Sequence, residues 1–214
     1  SFPHYKQDFC YYEPIEKNIP YAKVLIVNNC LRYKTDLSEL AHREWKGLTE
    51  AKLRFENKIS AMACDNIANN VIRLVRHPVT LTVHLSEVAE ALRQFSPDAI
   101  VMSGTLTDFD YYNPAHLEKF KQFIQTTQIP VLAICGAHQL VGISFGAKLK
   151  TLDNLAPSEK RADRVVEYQY RFIKILDGND PIFDGITDKQ IDITEIISDG
   201  LGSWIERQAT LKIS

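Results

Sequence analysis

Short, unbroken apolar and β-branched runs recur along this chain at 24–28, 79–83, 98–102 and 129–134, and helical apolar spacing fills the stretches between them. A strand with no polar alternation is buried on both faces, and a helix must cross over between successive strands of that kind. The pattern therefore predicts an α/β domain built on a mainly parallel sheet with right-handed crossovers and helices on both faces, a three-layer doubly wound arrangement. Few other folds accommodate it.

The intervening segments carry the expected helical signals. Leu37, Leu40, Ala41, Leu48, Ala51 and Phe55 form one stripe, and Ile59, Met62, Ala63, Ile67, Val71 and Leu74 continue the period. Together they make 37–75 an enlarged helical segment. Leu85, Val88, Ala89, Leu92 and Phe95 mark a further helix before Pro97, while Pro78 reads as the breaker that opens strand 79–83. Asn113-Pro114 is a cap followed by proline at the first helical position. A helix over 137–145 should end at Gly146. Residues 1–22, aromatic and punctuated by Pro3, Pro14 and Pro20, read as an irregular N-terminal arm, and 165–176 alternates as a half-exposed strand does. With no repeat and no low-complexity linker, 1–214 reads as a single domain.

Composition narrows function. The 214 residues are 45% apolar and 24% charged with a net charge of −2, which disfavours polyanion binding, so no nucleic-acid partner is expected. No apolar run approaches the roughly 20 residues of a membrane span. Cys10, Cys30, Cys64 and Cys135 lack zinc-clip or disulfide-scaffold spacing, and the N-terminus lacks a secretory signal. A reducing, cytoplasmic setting is expected, with no metal and no cofactor. The chain starts at Ser1 rather than Met, so trimming or processing is also expected.

Cys135 falls between a buried strand and a helix, where reactive groups gather in doubly wound sheets. A thiol there meets the positive end of the helix dipole and free backbone N–H groups, which favour a thiolate and stabilise an oxyanion. Ala133, Gly136 and Ala137 supply the small neighbours that so sharp a turn needs. The competing reading is a structural cysteine packed as a small hydrophobe.

The segment Pro130-Val-Leu-Ala-Ile-Cys135-Gly-Ala-His-Gln139-Leu, running on to Ser144-Phe-Gly146, resembles the nucleophile segment of the class I glutamine amidotransferases. Val24 to Asn28 is similar to that family's first strand, Ile100-Val-Met-Ser-Gly104 to its oxyanion strand, and Asp180-Pro-Ile-Phe-Asp-Gly185 to a downstream segment. The likeness runs from residue 23 to about 186. It implies a flavodoxin-like sheet of the class I amidotransferase type and a cysteine-dependent amidohydrolase or amidotransferase acting on glutamine or a glutamine-like amide. Cys135 would be the nucleophile that forms a thioester and releases ammonia, with a possible synthase partner. Gly104 and Gly136 would offer N–H groups to the oxyanion. Gln139 and the neighbouring Thr105 would contact substrate. Against each stands a bland alternative: a strand-end turn for Gly104, an exposed helix position for Gln139.

Departures from the family are specific. Ala133 and Ala137 replace elbow glycines, and Thr105-Leu106-Thr107 stands where the family continues with Gly and Pro. The family's imidazole comes from a His-Pro-Glu segment near the chain end, and this sequence has none. Its histidines are His4, His42, His77, His84, His116 and His138. His84, at the end of a strand, is the candidate for a recruited base, with a solvent-facing histidine as the ordinary alternative; His138, a structural position in the family, is not. A catalytically degenerate relative that binds a small molecule or regulates a partner synthase is the alternative function, as is an enzyme using the elbow on a different biosynthetic substrate.

Overall fold

A computed structural model of the chain describes residues 17–149, and the backbone of two strands at 191–198 and 204–211. The chain divides into two compact units, 1–149 and 150–214. In the first, the order is β1 (Ile19–Asn28), α1 (Glu39–Trp45), α2 (Thr49–Leu74), β2 (Val75–His84), α3 (Val88–Phe95), β3 (Ala99–Met102), α4 (Pro114–Thr126), β4 (Val131–Ala133) and α5 (Gly136–Ser144). In the second, β5 (Ile191–Ser198) and β6 (Trp204–Leu211) form an antiparallel pair. The alternating segment 165–176, the arm up to residue 16, and Cys10 lie outside the described residues.

The sheet of the first unit is wholly parallel, in the order β2-β1-β3-β4. Alternate residues of β1 serve opposite layers. Leu25 and Val27 pack with Val88, Ala91, Phe120, Ile124 and Leu140 of α3, α4 and α5, whereas Val24 and Ile26 pack with Cys64 and Val71 of α2. Two-sided burial is why β1 carries no polar alternation. The three-layer α/β expectation is met.

Register puts the carboxyl ends together. Asn28 pairs with His84, Val27 with Met102, and Met102 with Ala133, so the segments following each strand emerge on one edge. Chain order reverses direction between β1 and β3, the crevice where doubly wound sheets bind ligands.

Several local expectations change. Residues 19–22 belong to β1 rather than to an irregular arm. Pro78 does not open a strand; it lies inside β2, which is tolerated because β2 is an edge strand of the described sheet. The stripe from Leu37 to Phe55 is interrupted where Lys46 takes φ 38° ahead of Gly47, and the helix restarts at Thr49 with a rotated face. Leu48, Phe55 and Met62 end up exposed, while Leu53, Glu56, Ser60, Cys64 and Val71 are buried. The 59–75 period belongs to this same helix, α2. β4 is less covered than a fully buried strand, with Leu132 half exposed.

Two helix-end expectations hold. Asn113 Oδ1 accepts the Ala115 N–H at 3.0 Å to cap α4, and Gly146 ends α5 at φ 90°. No described helix is long and apolar enough to cross a membrane.

Candidate active site

Cys135 is exposed and serves as the N-cap of α5 with φ 53° and ψ −117°. A side chain at positive φ costs about 1–3 kcal/mol and persists only where surrounding structure enforces it. Here the enforcement is visible. The Ile134 N–H donates to Met102 at 3.1 Å, locking the end of β4 to β3, while the Ala137 and Gln139 amides donate to the Ile134 and Cys135 carbonyls at 3.1 Å each. The chain turns from strand to helix within one residue, and the thiol is left outside the helix.

Two glycines face this turn because nothing larger fits. A Cβ on Gly104 would lie 2.9 Å from the Cys135 Cβ and 3.4 Å from its Sγ. A Cβ on Gly136 would lie 2.0 Å from the Thr105 Oγ1. Gly104, Thr105, Cys135 and Gly136, assigned to one site from sequence, are thus brought into direct contact. Among the described residues no protein acceptor meets the backbone N–H of Gly104 or Gly136. Gln139 sits one turn along α5 with an exposed side chain, on the same end of the helix as the thiol.

A second group of residues, invisible in the sequence pattern, fixes the loop after β3. The Ser103 hydroxyl and the Cys30 thiol both donate to the Gly104 carbonyl, at 3.1 and 3.5 Å. The Asn29 amide donates to Ser103 Oγ at 3.1 Å and its Nδ2 to the Ser103 carbonyl at 2.8 Å, while Tyr112 OH donates to the Asn29 carbonyl at 2.9 Å. Glu56, buried on α2, accepts the Leu31 N–H at 2.8 Å on Oε2 and the Thr107 hydroxyl on Oε1. Burial pushes the Glu56 carboxyl up, opposed by the two hydrogen bonds and by Lys52. Burial, with Glu56 and Cys64 nearby, pushes the Cys30 thiol up to about 12. Cys64 is also raised, chiefly by burial. An open groove of about 400 Å³ runs beside this loop, between Leu48, Lys52 and Phe55 on one wall and Leu106 and Thr107 on the other.

His84 is placed elsewhere. Rather than facing solvent it is buried, its Nε2 at 2.9 Å from the Cys30 carbonyl and its Nδ1 at 2.8 Å from Ser86 Oγ. The carbonyl can only accept, so Nε2 carries the proton, and Nδ1 accepts from the Ser86 N–H at 3.3 Å. No ring lone pair remains to take a proton from Cys135. Asp36 lies 3.6 Å from His84 Nε2 and 3.5 Å from His116 Nδ1. Among the described residues no histidine nitrogen hydrogen-bonds to the Cys135 sulfur, His138 is exposed, and no group of three or more His, Cys, Asp or Glu is arranged to hold a metal. Asp108 and Asp110 are exposed, as expected of a solvated loop.

Comparison with known proteins decides the family. The sequence matches the glutamine amidotransferase class-I family over residues 62–193, more than half of the chain. This chain belongs to the class I glutamine amidotransferases. It is 36% identical over 108 residues to the carbamoyl phosphate synthase small chain of Salmonella typhi, covering 48% of this chain and 27% of that protein. To the carbamoyl phosphate synthase small chain of Acinetobacter baylyi it is 28% identical over 115 residues, covering 51% of this chain and 28% of that protein. The matched segment thus spans about a quarter of the length of these curated relatives. No solved structure matches. The family match begins at residue 62, inside α2, so α1 and the first half of α2, Glu56 included, precede the family-matched segment.

Proposed function

We propose that Cys135 attacks the side-chain amide carbon of glutamine or a glutamine-like amide. The sulfur–carbon bond forms, the carbon–nitrogen bond breaks, and ammonia leaves with a proton to yield an acyl-thioester that water later hydrolyses. The backbone N–H groups of Gly104 and Gly136 receive the negative charge that develops on the carbonyl oxygen, and Gln139 and Thr105 contact the substrate. A synthase partner consumes the ammonia. The observation that carries this reading is the elbow: an exposed thiol at φ 53° with Gly104 forced against it and the start of α5 behind it.

One observation favours a second reading, a degenerate relative in which turnover is slow or absent: His84 has both ring nitrogens occupied away from Cys135. Thioester hydrolysis needs a group to move protons, so acylation should outrun deacylation. Glutamine turnover to glutamate and ammonia is the direct test, with Cys135→Ser expected to lower it by several orders of magnitude. Turnover that survives Cys135→Ser overturns the first reading. A stoichiometric acyl burst without sustained turnover selects the second.

A further inference from the structure

Glu56 is a charged residue on the buried face of α2, in line with Leu53, Ser60 and Cys64. Its two carboxylate oxygens are divided between two segments. Oε2 takes the amide of Leu31, which follows β1, and Oε1 takes the hydroxyl of Thr107, which follows β3. Those two segments flank the crevice at which the sheet reverses direction. Thr107 is three residues from Gly104, which lies so close to Cys135 that a Cβ there would clash with it, and the intervening Thr105 packs against Gly136. The loop has no helix or strand of its own to hold it.

We propose that Glu56 is a positioning residue for the chemistry at Cys135: by clamping Thr107 and Leu31 it fixes the 104–107 loop, and so aims the backbone N–H of Gly104 at the oxyanion formed on Cys135. The proposal rests on the reading of Cys135 as the acylated nucleophile. It concerns transition-state stabilisation alone, since preorganised donors contribute where charge develops and not where substrate merely rests. Both carboxylate oxygens accept in the clamp, and a protonated Glu56 could still accept from Leu31 and donate to Thr107 Oγ, so the clamp does not depend on charge. The charged and titratable groups around it are Lys52 on the same helix, Cys30 beyond β1, and Tyr112, whose hydroxyl Glu56 and burial push up.

The test separates a reaction that builds an oxyanion from one that does not. With p-nitrophenyl acetate the Cys135 sulfur forms a bond to the acetyl carbon through a tetrahedral oxyanion, and p-nitrophenolate leaves. With iodoacetamide the same sulfur displaces iodide at a methylene carbon, and no oxyanion forms. Glu56→Ala and Thr107→Val should each slow acetylation of Cys135 by about tenfold or more, against roughly 100-fold for outright loss of an oxyanion donor, while alkylation of Cys135 changes by less than about twofold. Glu56→Gln can still accept from Leu31 and donate to Thr107 Oγ, so it should recover most of the acetylation rate. Acetylation indifferent to both Glu56→Ala and Thr107→Val overturns the proposal while leaving the Cys135 reading intact. Equal losses in acetylation and alkylation reduce Glu56 to a structural residue and also overturn it. If the unsubstituted protein alkylates at Cys135 but never acetylates there, the Cys135 reading fails and the proposal falls with it. Thr107→Val, a half-buried loop substitution, keeps the question open to measurement should Glu56→Ala unfold the protein.

Discussion

Two polar groupings stand at the same edge of the sheet and are built on opposite principles. At the end of β2, His84, Asp36 and the Arg32 and Tyr33 amides form a buried knot: Asp36 accepts those amides at 2.9 and 2.6 Å and faces both His84 and His116. At the end of β4, Cys135 is exposed, in a strained backbone conformation, and the N–H groups of Gly104 and Gly136 beside it meet no protein acceptor among the described residues. The first grouping satisfies its partners and so contributes to stability; the second holds a strained residue at a cost and leaves its donors free to meet a ligand or a transition state. A histidine at a strand end and a cysteine at a strand end look equivalent in one dimension. What separates them is whether other segments have already used their hydrogen-bonding capacity.

The comparison breaks most sharply in thiol reactivity. At pH 8 a thiol with its pKa pushed up to about 12 is thiolate in only about one molecule in 10⁴, and Cys30 is also buried. Iodoacetamide adducts located by mass spectrometry should therefore appear at Cys135 well before Cys30 or Cys64; earlier modification of either would remove the distinction between open and closed sites. Next in size is Gly104→Ala, whose new Cβ would meet Cys135 at 2.9 Å and displace the loop. It should slow p-nitrophenyl acetate acylation by about 100-fold, and an unchanged rate would mean that Gly104 does not serve the oxyanion.

The reverse experiment acts on the closed grouping. Asp36→Asn leaves buried donors underused and should cost about 3 kcal/mol in urea unfolding, with the acylation burst of the folded protein within about twofold of the parent. A burst that collapses in a still-folded variant would couple the two groupings. The smallest effect concerns His116, whose pKa is lowered, chiefly by burial and against the pull of Asp36. A histidine more easily protonated when unfolded stabilises the native state above its unfolded value of 6.5, and that contribution is lost as pH falls through the lower folded value. The urea midpoint should drop between pH 7.5 and 5.5 by more in the parent than in His116→Gln; parallel profiles would show that His116 is not the group responsible.

The parallel sheet was legible because β1 is buried on both faces, and two-sided burial removes polar alternation from the sequence itself. Cys135 was legible for a related reason: a one-residue turn from strand to helix demands small neighbours, and Gly136 and Ala137 are written beside it. Glu56 was not. A glutamate in a helical period ordinarily marks the solvent face, and the burial of this one depends on Leu31, 25 residues earlier, and Thr107, 51 residues later. Leu48 and Phe55 were misread as core because the stripe was carried across Lys46, where a positive φ resets the helical phase. His84 was misplaced by the same kind of omission, since its environment is supplied by Cys30, Ser86 and Asp36 rather than by its own strand.

Pro78 has a consequence for how copies of this protein behave in a crowd. An edge strand is an open template for another chain, and the nine paired positions of β1 and β2 make this a long one. Proline cannot donate to an added strand, and the exposed Arg76 and His77 beside it bring polar side chains to the same rim. Pro78→Val would extend the run Val79-Thr-Leu-Thr-Val83 by one further β-branched residue and restore the missing donor. During refolding at high protein concentration, that variant should lose more material to aggregates than the parent, a penalty that no measurement on the folded protein would reveal.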